Sequence, residues 1–294
     1  MRSSSSTAFF QLLLLQPATA LIISPPQNLV VLGPGSPDVQ AIASKLAANA
    51  GYRVSLVAQD AERSTKLMYG SSASPAEPPR AVAADGNSDI GSALAKAEAC
   101  LLVAESGGET GIATTLKFAP KLTRLVLLTS IGGSFGKGGL TYMGEGASIL
   151  DMEKEVCERC ERSGVDVDLV RVGVLKGGGP PFGLDASYYD SLRVGGYPTP
   201  SFATAQGYDK ETLGVSCAAG DAIEPRNALA RSGSKTDVGP QRDECSRIVA
   251  AGAMLGCLRQ PSLVHVSLSA MRGASPPTEA EWDAMLNGAS TAAS

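Results

Sequence analysis

The residues with the clearest chemical capacity lie in NLVVLGPGSPDVQAIASKLAANAGYRVSLVAQD, from Asn28 to Asp60. Gly33 and Gly35 stand in the first two positions of a G-x-G-x-x-G turn, with Ser36 following. The first glycine permits a tight turn, and the second lets the backbone approach a pyrophosphate at a helix N-terminus. The third position holds Asp38, which would crowd the helix–strand contact or repel phosphate if it pointed inward, and which can instead cap the helix. At the end of the following strand, Ala58-Gln59-Asp60 is neither a plain acidic ribose ligand nor an arginine for a 2′-phosphate. Arg63 and Lys66 stand close enough in sequence to reach such a phosphate, or to be solvated helix charges. Asp85 is placed to meet an adenine edge, and serves equally as a turn residue capping the next segment.

Other chemistry-bearing residues point less sharply. The six cysteines are irregularly spaced, unlike a disulfide scaffold. Cys157-x-x-Cys160 is their close pair; with no second pair and no nearby histidine it reads as core-facing thiols on a helix, and no metal site is expected. The single histidine, His265, lies in the strand-like run LVHVSLS and reads as a satisfied strand residue.

The elements that must position these residues alternate strand and helix. Strands are expected at Leu29–Leu32, Tyr52–Ala58, Ala81–Ala84, Ala99–Ala104, Leu125–Thr129, Asp166–Val172 and Leu263–Leu268. Helices are expected at Val39–Ala50, Ile90–Ala97, Gly111–Pro120, Ser148–Ser163, Arg242–Leu258 and Thr278–Leu286. Apolar strands alternating with helices predict an α/β, doubly wound parallel sheet. Residues 28–175 form the core, and 176–239, rich in Gly, Pro and aromatics, form a small irregular lid or substrate region. Residues 240–287 return as helix-strand-helix, and 288–294 form a tail.

Of 294 residues, 44% are hydrophobic, 18% charged and 5% aromatic, with net charge −4. That leaves no electrostatic footprint for nucleic acid and few stacking platforms. Residues 1–20, MRSSSSTAFFQLLLLQPATA, have a basic start, a short apolar core and an A-x-A cleavage site, as a secretory signal peptide does; 21–27 are a short linker. Algae with secondary plastids give their plastid proteins such leaders, so the expected destination is the plastid, with the secretory pathway as the alternative. No later run is long enough to span a membrane.

Five segments carry a family resemblance: VVLGPGS, AADGNS, LVLLTSIGG, RSGVDVDLVRVGVLKGG and GPQRDECSRIVAA. In order and spacing they resemble the atypical short-chain dehydrogenase/reductase superfamily, in its NmrA-like, NAD(P)-binding branch, over about residues 28–270. The resemblance implies a Rossmann-like sheet and an NADP or NAD cofactor, NADP slightly favoured, held by Gly33, Gly35, Ser36, Gln59, Arg63 and Asp85. It further implies Ser130 as the hydroxyl that bonds a substrate carbonyl and Lys154 as the helix lysine that holds the ribose. The family's Tyr-x-x-x-Lys pair is missing: Leu150 stands four before Lys154, and Tyr142 lies in the preceding loop. The missing tyrosine argues against ordinary alcohol–ketone hydride chemistry. Two functions therefore stand open. One is hydride transfer to a small carbonyl, enone or quinone-type substrate, with Tyr142, Tyr188 or Tyr189 as proton donor. The other is a non-catalytic NAD(P)-binding sensor or plastid assembly factor.

Overall fold

Runs without a polar break, such as Cys100–Val103 and Leu125–Leu128, require apolar cover on both faces, which a parallel sheet between two helical layers supplies. The computed structural model describes residues 27–58, 60–61, 64, 68, 82–84, 87–132, 145–178, 208, 211–223 and 243–292. Its first half alternates β1 (Asn28–Leu32), α1 (Pro37–Asn49), β2 (Arg53–Val57), β3 (Val82–Ala84), α2 (Asn87–Lys96) and β4 (Ala99–Val103). There follow α3 (Ile112–Phe118), β5 (Arg124–Ser130), α4 (Glu145–Arg162), β6 (Asp166–Val172) and β7 (Val174–Lys176). The chain closes with β8 (Gly214–Ala219), β9 (Glu244–Ser246), α5 (Arg247–Leu258), β10 (His265–Met271) and α6 (Glu279–Ala292).

The main sheet has the order β3-β2-β1-β4-β5-β6-β10-β8. Its strands run parallel up to β10, and β8 is antiparallel on the outer edge. This is the doubly wound α/β fold expected from the sequence. Alternate residues of β1 divide the core. Leu29 and Val31 join Val39 and Ile42 of α1, Val249 of α5 and Trp282 of α6 on one face. Val30 and Leu32 join Leu94 of α2, Ile112 of α3 and Val156 of α4 on the other.

Several segments depart from the sequence reading: α6 runs on to Ala292, into the residues read as a tail, and β7 is not among the expected strands. Gly214–Ala219 (GVSCAA) falls in the stretch read as irregular, yet it pairs with β10 from Met271↔Gly214 to Val266↔Ala219. Its small side chains give no apolar alternation, and the partner strand supplies the order. The helix expected from Arg242 begins at Arg247, because Glu244–Ser246 pairs in parallel with Val174–Lys176. Ser246 then caps α5, its Oγ accepting from the Ile248 N–H at 3.2 Å. Among the described residues, no helix is long and apolar enough to cross a membrane.

Candidate functional site

The strand order reverses direction between β1 and β4. In open α/β sheets the crevice beyond the carboxyl ends of the strands at such a reversal is where ligands bind. The β1–α1 turn lies there. Gly33 has φ of 133°, and a Cβ on it would stand 2.1 Å from the Val103 carbonyl oxygen. The Gly35 N–H donates to that same carbonyl at 2.8 Å. Gln40, one turn into α1 and buried, donates from Nε2 to the carbonyls of Gly33 (2.9 Å) and Gly35 (3.2 Å). The turn is thus pinned to β4 on one side and to its own helix on the other. Pro37 opens α1, where its missing N–H costs nothing.

Asp38, in the position of the third glycine, does not crowd the turn. Its carboxylate lies 3.9 Å from Nε of Arg247 in the first turn of α5. Arg247 also donates from Nη1 to the Gly177 carbonyl at 2.8 Å. The ion pair bridges the two helices that border the crevice.

The side chain closest to the turn is Glu105, two residues beyond β4. Its Oε1 accepts the Ser36 N–H at 2.7 Å. Its Oε2 would lie 2.1 Å from a Cβ on Gly35, and this oxygen is buried with no hydrogen-bond partner among the described residues. Burial pushes the carboxyl pKa up, against the help of the Ser36 N–H, its own backbone N–H and the Arg247 charge, and Asp38 adds to the rise. The Glu105 carbonyl accepts the Ser130 hydroxyl, which anchors the residue's backbone to the end of β5.

Ser36, Glu105, Ser130 and Arg247 line a cavity of about 280 Å³ with Ile131, Val172, Val174, Leu175 and Asp243. Ligand pockets usually enclose roughly 300–1,000 Å³, so the space beside the glycine turn is small. Part of the reason is the Glu105 carboxylate itself. The backbone of the turn suits a pyrophosphate, since Gly33 and Gly35 both sit where a side chain would collide. The Ser36 amide, one of the donors such a group would use, is already taken by Glu105.

The structure gathers Gly33, Gly35, Ser36 and Ser130 at this crevice. It does not bring Lys154 there. Glu153 points inward from α4 and forms a two-point bond with Arg171 of β6, at 3.0 and 2.7 Å. One residue further along the helix is about 100° round its axis, so Lys154 projects into solvent. Its side chain is 74% exposed, 3.8 Å from Glu158. Gln59, Arg63, Lys66, Asp85, Tyr142, Tyr188 and Tyr189 lie outside the described residues, as does the leader.

Cys157 and Cys160 are free thiols on α4. Burial raises both, Cys160 to about 12, which suits core residues rather than nucleophiles. His265 lies on β10 with Nε2 3.3 Å from the Val167 carbonyl oxygen. The sequence reading missed Glu105, Asp243 and Arg247. For Glu105 a signal was present: it follows the strand that flanks the reversal, where residues face the ligand crevice.

The sequence matches no family model and no curated protein. Solved structures similar to it include a wide-type short-chain dehydrogenase/reductase from Veillonella parvula in complex with NADP. That match has 11% identity and a TM-score of 0.47, and covers 86% of this chain and 99% of the other. A short-chain oxidoreductase from Pseudomonas aeruginosa containing an atypical catalytic center matches at 13% identity and TM-score 0.45, covering 79% and 89%. Vestitone reductase from alfalfa matches at 12% identity and TM-score 0.42, covering 80% and 74%.

Proposed function

We propose that this chain is an NAD(P)-binding protein of the short-chain reductase type, its nucleotide lying across the carboxyl ends of β1 and β4. The observation that carries the reading is the Gly33–Ser36 turn, set at the strand-order reversal and with no room for a side chain at either glycine. Gly33, Gly35 and Ser36 would face the pyrophosphate. Gln59, Arg63 and Asp85 are the residues proposed for the ribose and adenine, and NADP is favoured over NAD because Arg63 could meet a 2′-phosphate. The nicotinamide, when bound, supplies or accepts a hydride. The protein's part is to orient it towards a small carbonyl, enone or quinone-type substrate, with Tyr142 as a candidate proton donor.

Two observations favour the non-catalytic alternative, a nucleotide-binding sensor or assembly factor. The Ser130 hydroxyl is spent on the Glu105 carbonyl, and Lys154 faces solvent. The experiment that decides is a fluorescence titration of the full mature chain with NADPH and NADH, followed by turnover assays on carbonyl, enone and quinone panels. Binding without turnover supports the sensor reading, and failure to bind either nucleotide overturns the hydride-transfer reading. Delivery to a plastid by way of the leader is part of the same proposal. A fluorescent fusion carrying residues 1–27, expressed in an alga with a secondary plastid, tests it; secretion of the fusion would refute it.

A further inference from the structure

The glycine turn presents its backbone to a carboxylate of its own chain. The Ser36 N–H is the N-terminal donor of α1 that faces the crevice, and it is held at 2.7 Å by Oε1 of Glu105. The other carboxylate oxygen presses against Gly35, in the space that the glycine leaves open. A phosphate approaching the turn closely would need the same amide and the same space. The Ser130 hydroxyl holds the Glu105 carbonyl at the end of β5, so that a backbone shift would break this bond. Glu105 can yield by rotating its side chain, which is one step from solvent at the exposed Ser106.

The charges round the cavity sharpen the competition. Glu105 is faced by Asp38 from α1, which repels its charge, and by Arg247 from α5, which attracts it. The guanidinium that attracts Glu105 is shared, since it already has Asp38 within 3.9 Å. A doubly charged pyrophosphate would meet the charge of Glu105 as long as that side chain stays in place.

We infer that Glu105 is the resident anion of the Gly33–Ser36 turn and the residue that sets its affinity for nucleotide: a pyrophosphate binds only as the Glu105 side chain leaves. The inference rests on the reading of the turn as a pyrophosphate site, and deepens it. It makes the crevice a selective site, weak towards any phosphate ligand that cannot supply enough contacts elsewhere to displace the carboxylate.

The test is titration of the full mature chain and two variants, Glu105→Ala and Glu105→Gln, with NADPH and with ADP-ribose, which has the pyrophosphate but no nicotinamide. Glu105→Ala frees both the amide and the space, and should tighten both ligands by about tenfold or more. Glu105→Gln keeps length and acceptor but removes the charge. It should tighten them in the same direction, and it serves should the alanine variant fold poorly. Glu109→Gln, an exposed charge in the same loop, should change neither. Unchanged or weaker binding in the Glu105 variants, with the wild-type chain binding normally, overturns the inference and leaves the pyrophosphate reading standing. An equal gain in Glu109→Gln also overturns it, since the cause would then be general loop charge. No binding in any of the four proteins overturns the pyrophosphate reading and the inference with it.

Discussion

Arg124 and Asp168 meet in a two-point bond inside the sheet, at 2.7 and 3.0 Å, with neither side chain exposed. Arg124 also donates to the carbonyls of Gln260 (2.6 Å) and Ser262 (3.2 Å), and Asp168 accepts the Val264 N–H at 2.8 Å. The pair thus stitches the α5–β10 connection to β5 and β6. Removing one partner strands the other charge away from water, which costs about 3–5 kcal/mol. Asp168→Asn should lose stability on that scale in urea unfolding. The double replacement Arg124→Leu with Asp168→Leu should lose less than the two single changes together.

Gly33→Ala should destabilise the fold by roughly 2–4 kcal/mol, from the strain of a positive φ and the collision with the Val103 backbone. Gly91→Ala, at a site with nothing near its Cβ, is the control. It should be neutral or stabilising by up to about 1 kcal/mol, as a helix position relieved of glycine. Thermal unfolding of the two variants side by side measures the difference.

The raised carboxyl of Glu105 gives stability a pH dependence of defined sign. A group whose folded pKa lies above its unfolded one favours the fold when protonated. Its contribution is complete below the ordinary glutamate value of 4.5 and is lost as pH rises through the higher folded value. Glu105→Gln, which cannot ionise, should therefore gain on the wild type as pH rises. The two should have similar urea midpoints at pH 4, with the variant the more stable at pH 8. A variant advantage that shrinks with rising pH would refute the assignment.

Lys154→Ala tests the ribose role that the family resemblance implies. The lysine is exposed beside an exposed Glu158, and such pairs contribute about 0–1 kcal/mol. From this placement, NADPH affinity should stay within twofold of wild type. A loss of tenfold or more would show that α4 turns its lysine inward when nucleotide binds.

The β1–turn–α1–β2 unit was legible because its signals are local: an unbroken apolar run, two glycines at fixed spacing, and a helical period ending at Gly51. The long apolar strands were legible for the same reason. Strand β8 was not, because GVSCAA lacks both alternation and bulk and becomes a strand through β10. Strand β9 was hidden in a segment that also suits a helix, and only pairing with Val174–Lys176 decides between them. In the crevice, the glycines carried their own signal, whereas Glu105 meets Ser36 across 69 positions of sequence. That Lys154 faces outward follows from Glu153 finding Arg171, a buried contact that no helical period encodes.

The helices that complete the β1 side of the core come last in the chain. Val126 and Leu128 of β5, and Val170 and Val172 of β6, share one cluster with Val249 and Met254 of α5 and Trp282 and Leu286 of α6. On the ribosome, which makes the chain N-terminus first, that face of β5 and β6 stays bare until residues beyond 258 have cleared the exit tunnel. A chain stopped short of Trp282 would lack the α6 side chains that complete this cluster.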